Sequence, residues 1–159
     1  MAHNIKLWLI SKEKTLTEVH RHKLDLEERL EDWIEQDISI LSDEYLVIGR
    51  QVPTIYNTFI DILCLDRNGD LVIIELKRDK TPRDTVAQVL DYASWVRELS
   101  RDDVISIANA YLKEKGPIET AFLQKFQENL PDVLNAFHTM LVVASDIDAS
   151  TDRIVQYLS

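Results

Sequence analysis

The stretch "FIDILCLDRNGDLVIIELKRDKTP", residues 59–82, sets Asp61, Glu75 and Lys77 into two otherwise apolar runs. Both runs are rich in Ile, Val and Leu, and "DRNGD" between them is a turn signal, so the pair reads as a β-hairpin. A three-residue loop, "RNG" (67–69), takes Gly69 at its left-handed position and places Asp61 directly opposite Glu75. Opposed residues share a sheet face, with Cβ atoms about 4.5–5.5 Å apart. Lys77, two residues beyond Glu75, falls on that same face. A two-residue Asn-Gly turn would instead pair Asp61 with Leu76 and split the carboxylates across the sheet. That register buries an Asp in the layer of Ile74 and Leu76, so the first is expected.

Outward from the hairpin, the pattern gives a mixed α/β order. "IKLWLI" (5–10) alternates weakly, as a short strand does. Leu26, Leu30, Trp33, Ile34 and Ile38 recur at spacings of three and four, which predicts an amphipathic helix over roughly 15–37. "YLVIGRQV" (45–52) is a strand ended by Pro53, and strand-like runs follow at 55–65 and 71–77. Thr81 is a candidate N-cap with Pro82 at the first helical position, and Val86, Val89, Leu90, Ala93 and Val96 give the next helix one apolar stripe. Further helices are expected at 102–115 and 118–129, a buried strand at 139–145 and a last helix at 149–158. Three strands with short links imply an antiparallel meander. The fourth, reached by a long helical crossover, can join in parallel. The fold class is therefore α/β: a mixed sheet, antiparallel meander plus one parallel strand, flanked by helices.

Length and composition fit one domain over 1–159. The chain is 45% hydrophobic with 29% charged residues, and no repeat or Pro/Gly-rich linker divides it. No apolar run reaches the roughly 20 residues of a membrane span, so no membrane partner is expected. The start lacks the features of a signal peptide, and cytoplasmic residence is the default. Cys64 alone excludes an internal disulfide framework, and its place in an apolar run makes it a small buried hydrophobe. The net charge of −10 argues against coating nucleic acid by bulk electrostatics. It leaves room for a carboxylate site that needs a divalent cation. The chain stops within a helical pattern, "TDRIVQYLS", and so reads as a truncated or minimal variant.

Two carboxylates brought this close repel, and both stay ionised only beside a compensating cation. Lys77 compensates in part; Mg²⁺ or Mn²⁺, which takes oxygen ligands and often shares them with substrate phosphate, does so better. Such a cation lowers the pKa of a bound water while Lys77 orients it, which is the chemistry of phosphodiester hydrolysis. A surface cross-strand ion pair would show the same spacing. Gln88 and Tyr92, at i and i+4, share a face of the helix that follows Lys77, where they could hold a phosphate or a water. Arg50, Lys77, Arg78, Lys80 and Arg83 concentrate positive charge here, and Arg50, Arg78 and Arg83 are the candidate nucleic-acid contacts. His3, His20, His22 and His138 form no metal-ligand pattern, and there is no Gly-rich phosphate loop or G-x-S-x-G. Trp8, Trp33 and Trp95 could stack on bases, but Trp33 and Trp95 border helical apolar faces and are expected in the core.

Taken together, "D61…E75-L-K77" and "Q88-V-L-D-Y92", with "IGRQVP" and "VIIELKR…AQVLDYASWV", resemble the PD-(D/E)XK nuclease superfamily, and within it the NucS-type endonuclease domain. The resemblance covers about 27–99 and departs from the superfamily pattern where Ile60, not proline, precedes Asp61. It implies a restriction-endonuclease-like fold and a divalent-metal-dependent endodeoxyribonuclease acting on DNA. By that resemblance Asp61, Glu75 and the Leu76 carbonyl are metal ligands, Lys77 is the catalytic lysine, and Gln88 and Tyr92 belong to the same site. It also implies an upstream helical acid, for which "LEERLEDWI" offers Glu27, Glu28 and Glu31; the "LEERL" context favours Glu27. The separate N-terminal DNA-binding domain of NucS-type enzymes has no counterpart here, so cutting is expected to need a homodimer or an additional DNA-binding domain or chain. A non-catalytic nucleic-acid- or protein-binding module on the same fold is the alternative.

Overall fold

A computed structural model describes residues 7–12, 15–19, 27–81 and 83–158, without the side chains of residues 79–81 and 83. Its centre is a four-stranded sheet in the order β3 (Tyr45–Pro53), β4 (Phe59–Asp66), β5 (Leu71–Thr81) and β6 (His138–Ile147). β3, β4 and β5 are antiparallel neighbours, and β6 joins β5 in parallel, as the long crossover allows. The crossover consists of α2 (Arg83–Val96), α3 (Arg101–Leu112) and α4 (Ile118–Phe126); α5 (Ala149–Leu158) follows β6. Among the described residues no helix is long and apolar enough to cross a membrane.

The sheet is apolar on both faces, so it needs a layer on each. Leu63, Leu65, Leu71 and Ile73 pack with Val89, Tyr92, Val104, Ala108 and Phe122 from α2, α3 and α4. On the other face Ile62, Cys64, Val72, Ile74 and Leu76 pack against Ile34 and Leu30 of α1 (Glu27–Gln36). Cys64 is fully buried there, as expected.

Several expectations are corrected. The first long helix does not begin near residue 15: β2 (Leu16–Val19) pairs with β1 (Leu7–Ile10), α1 starts at Glu27, and 20–26 lie outside the described residues. The alternating "LTEV" found a strand partner that a helical count could not foresee. β6 is a half-exposed edge strand rather than a buried one, since among the described residues only β5 pairs with it. Trp33 stays 47% exposed, off the Leu30–Ile34 stripe, whereas Trp95 does pack against the core. In α2 it is Tyr92, not Leu90, that completes the buried stripe. His3, His20, His22 and Pro82, and with it the proposed cap, lie outside the described residues.

Candidate active site

The site begins at the hairpin turn. Asp66 accepts the Asn68 and Asp70 N–H groups on Oδ1, and Gly69 has φ +85°, so "RNG" forms the three-residue loop. That loop pairs Leu65 with Leu71 and Ile62 with Ile74, the register which sets Asp61 against Glu75. The regular ladder ends at Ile62–Ile74. Beyond it Asp61 Oδ2 accepts the Leu76 N–H at 2.8 Å, so a side chain replaces a ladder bond where the strands part.

Glu75 is 1% exposed. Its Oε1 accepts from Lys77 Nζ at 2.7 Å, while Oε2 is buried with no hydrogen-bond partner among the described residues. Burial pushes the Glu75 carboxyl up to about 7; Lys77 opposes this and the Asp61 charge adds to it. Burial works against the charge of Lys77, but the Glu75 contact, with Glu27 and Asp61 nearby, holds its pKa above the ordinary lysine value.

Two acids of α1, one turn apart, reach this region. Glu27 Oε1 accepts the Arg78 N–H at 2.9 Å. Glu31, one turn later, is 8% exposed and accepts from Arg50 Nε at 3.1 Å and Gln51 Nε2 at 3.0 Å. The same Gln51 nitrogen donates to Asp61 Oδ1 at 3.0 Å. Burial, with the Asp61 charge, raises the Glu31 carboxyl; Gln51 and Arg50 hold it back. Glu28 is exposed.

The remaining candidates separate. Arg50 makes ion pairs to Glu31, Asp32 at 2.7 Å and Glu35 at 2.6 Å, so its guanidinium clasps α1 to β3. Tyr111 O–H donates to the other Glu35 oxygen, tying α3 to the same clasp. Tyr92 is 1% exposed and donates to the Phe59 carbonyl at 2.7 Å, while Gln88 Nε2 donates to the Tyr92 oxygen. The Gln88–Tyr92 pair thus anchors α2 at the start of β4, two residues before Asp61. Arg78 is exposed at the rim, and the side chain of Arg83 lies outside the described residues.

The residue that sequence reasoning missed is Gln51. It lies opposite Asp61, between the pairs Arg50–Ile62 and Val52–Ile60, with φ at +48°. Ile60 and Val52 belong to the layer of α2, α3 and α4, while Ile62 packs with Ile34 of α1 and Arg50 pairs with the acids of α1. Residues two apart normally share a face. Both strands therefore turn over at Gln51 and Asp61, aiming the two side chains at the seam between the layers. The register of the β3–β4 hairpin held that signal.

As a cation site the donor set is all oxygen: Asp61, Glu75, whose buried Oε2 has no partner among the described residues, and the backbone at Leu76. Among the described residues no group of three or more His, Cys, Asp or Glu side chains is close enough to hold a metal by itself. Two carboxylates with remaining positions left to water suit Mg²⁺ or Mn²⁺ rather than a caged ion. On that chemistry the residues fit.

The sequence profile of the endonuclease NucS C-terminal domain matches residues 26–114, more than half of the chain. The chain belongs to the NucS C-terminal domain family. Endonuclease NucS of Corynebacterium glutamicum is 26% identical over 117 residues, covering 62% of this chain and 49% of that protein. Endonuclease NucS of Corynebacterium diphtheriae is 31% identical over 81 residues, 51% of this chain and 33% of the relative. Among solved structures, a repair endonuclease from Pyrococcus abyssi superposes with a TM-score of 0.53 at 15% identity, over 87% of this chain and 46% of that one. EndoMS in a complex with double-stranded DNA gives 0.54 at 17%, over 89% and 46%. These structural likenesses establish a fold shared with both of those proteins. The chain spans about half the length, or less, of these relatives.

Proposed function

We propose that this NucS-type domain hydrolyses DNA phosphodiester bonds as a divalent-metal-dependent endonuclease of the PD-(D/E)XK type. The observation that carries the reading is the buried Glu75 oxygen, without a partner among the described residues, beside Asp61 and Lys77 at the point where the strands part. An isolated buried carboxylate oxygen is unfavourable by roughly 1–3 kcal/mol or more, and a bound cation would remove that penalty. Asp61, Glu75 and the Leu76 carbonyl would hold Mg²⁺ or Mn²⁺, with Glu27 or Glu31 of α1 as the helical acid. The ion supplies Lewis acidity toward a phosphate oxygen and a more acidic water.

The protein's own groups do the rest. Lys77, fixed on the same face as both acids, donates to the attacking water and to the developing negative charge. Asp61, pinned by the Leu76 N–H, keeps its orientation without a ligand. Gln88 and Tyr92 fix the start of β4 and so the position of Asp61. Arg78, and Arg83 by its place in sequence, supply phosphate contacts at the rim. Arg50 has its guanidinium on three acids of α1, and supports the site from behind instead. EndoMS, which shares this fold, forms a complex with double-stranded DNA, and this supports DNA as the substrate class here. In a chain of net charge −10, most further phosphate contacts would come from a second copy or another domain or chain.

The experiment is calorimetric titration with Mn²⁺ alongside cleavage of single-stranded, flapped and mismatched DNA. Wild type should bind Mn²⁺ and cut at least one substrate. Asp61→Ala and Glu75→Gln should bind at least tenfold more weakly and lose at least a hundredfold in rate. If wild type and Asp61→Ala titrate alike and neither cuts, the alternative of a non-catalytic binding module, which the acidity favours, takes its place.

A further inference from the structure

Gln51 donates from one nitrogen to two carboxylates, Glu31 Oε1 and Asp61 Oδ1, each at 3.0 Å. Both facing groups accept only, so the amide must turn its NH₂ toward them. Its backbone is held at φ +48° inside a strand, a conformation side-chain-bearing residues seldom adopt and which clusters at functional sites. The flanking pairs Arg50–Ile62 and Val52–Ile60 keep their register, so this is a local twist aimed at the seam.

We propose that Gln51 is a positioning residue for the candidate metal site. It sets the orientation of Asp61 and couples it to Glu31 of α1 without cancelling the charge of either. The inference rests on the nuclease reading for its consequence, since what is positioned is the donor set of that site.

The side-chain chemistry leaves few substitutes. Asp61 has both oxygens engaged, Oδ2 by the Leu76 N–H and Oδ1 by Gln51, so its rotamer is fixed before any ligand arrives. Glu31 is buried and held from one side by Arg50 and from the other by Gln51. A lysine or arginine at 51 would bridge the same acids but add a positive charge where a cation must bind. A glutamate would have no donor and add a further negative charge. Glutamine offers two N–H groups, no net charge and the reach to span a strand and a helix. Outer partners that orient metal-binding carboxylates typically change metal affinity about ten- to a hundredfold when removed.

The test uses the full chain. In Mn²⁺ calorimetry Gln51→Ala should bind about ten- to a hundredfold more weakly than wild type while its melting temperature changes little. Gln51→Lys should separate the two readouts: a melting temperature at or above wild type, with Mn²⁺ binding at least as weak as in Gln51→Ala. Independently, the metal-free ¹H–¹⁵N spectrum should show the Gln51 amide protons displaced from solvated positions, the pattern relaxing in Asp61→Asn and in Glu31→Gln. Mn²⁺ affinity in Gln51→Ala within twofold of wild type overturns the proposal, as do Gln51 amide protons at solvated positions. Should wild type bind no Mn²⁺, the nuclease reading fails, and the amide signals alone then decide whether Gln51 joins the two acids.

Discussion

With Lys77 on one oxygen and no hydrogen-bond partner among the described residues on the other, Glu75 stays buried in a form that its surroundings resist, and the consequence is a pH dependence. Its carboxyl is raised by burial to about 7 from an ordinary 4.5. Between those values the folded protein holds a proton that the unfolded chain has released, so stability falls as pH rises through 4.5 to 7. The loss is complete above 7. In chelator, Glu75→Gln should therefore be more stable than wild type at pH 8 by on the order of 2 kcal/mol, and the difference should vanish below about pH 4. Urea midpoints at the two pH values measure this; a pH-independent difference would show that Glu75 is not so perturbed. At this scale Asp61, Glu75 and Lys77 were legible because one turn and a period of two place them. Gln51 and Glu31 were harder to read: one needs the register of a second hairpin, the other the rotation of α1 against the sheet.

The elements that carry these residues depend on the turn. Gly69 has φ +85°, and a Cβ there would meet Leu134 Cδ2 at 2.8 Å and Pro131 Cγ at 3.2 Å. The Gly69 carbonyl also accepts the Asn135 N–H, and the Asn135 side chain donates to the Val96 and Leu99 carbonyls at the end of α2. The loop that sets the Asp61–Glu75 register is thus joined to the helix that bears Tyr92. Gly69→Ala combines a disfavoured backbone with a clash against a buried leucine, and should cost about 2 kcal/mol. The expected result is a lower urea midpoint with unchanged slope, and a midpoint equal to wild type would show that the loop yields easily. Helices α2 to α5 were readable from periodicity and from the "GP" break. What misled was local ambiguity. "LTEV" supports helix or strand until β1 pairs with it, and the apolar run of β6 looks buried although its outer edge is open.

For the whole molecule, the two apolar layers explain why a sheet without polar alternation in β4 and β5 is stable, and why charged residues concentrate at the seam where the strands part. The mixed α/β topology follows from element order, while the docking of α1, which brings three acids onto Arg50, required the fold itself. That docking removes Arg50 from the count of DNA contacts. With 28 acidic against 18 basic residues, the other cations that the sequence places near the site are Lys77, Arg78, Lys80 and Arg83. Each phosphate neutralised contributes about 0.9 to the slope of log affinity against log salt for duplex DNA. The isolated chain should therefore bind duplex DNA weakly, with a slope no steeper than about −4. Fluorescence anisotropy from about 50 to 200 mM salt reads it directly. A slope of about −6 or steeper would require a cationic surface that this chain's composition argues against, whereas a shallow slope that steepens when a second domain or chain is added would locate the missing phosphate contacts there.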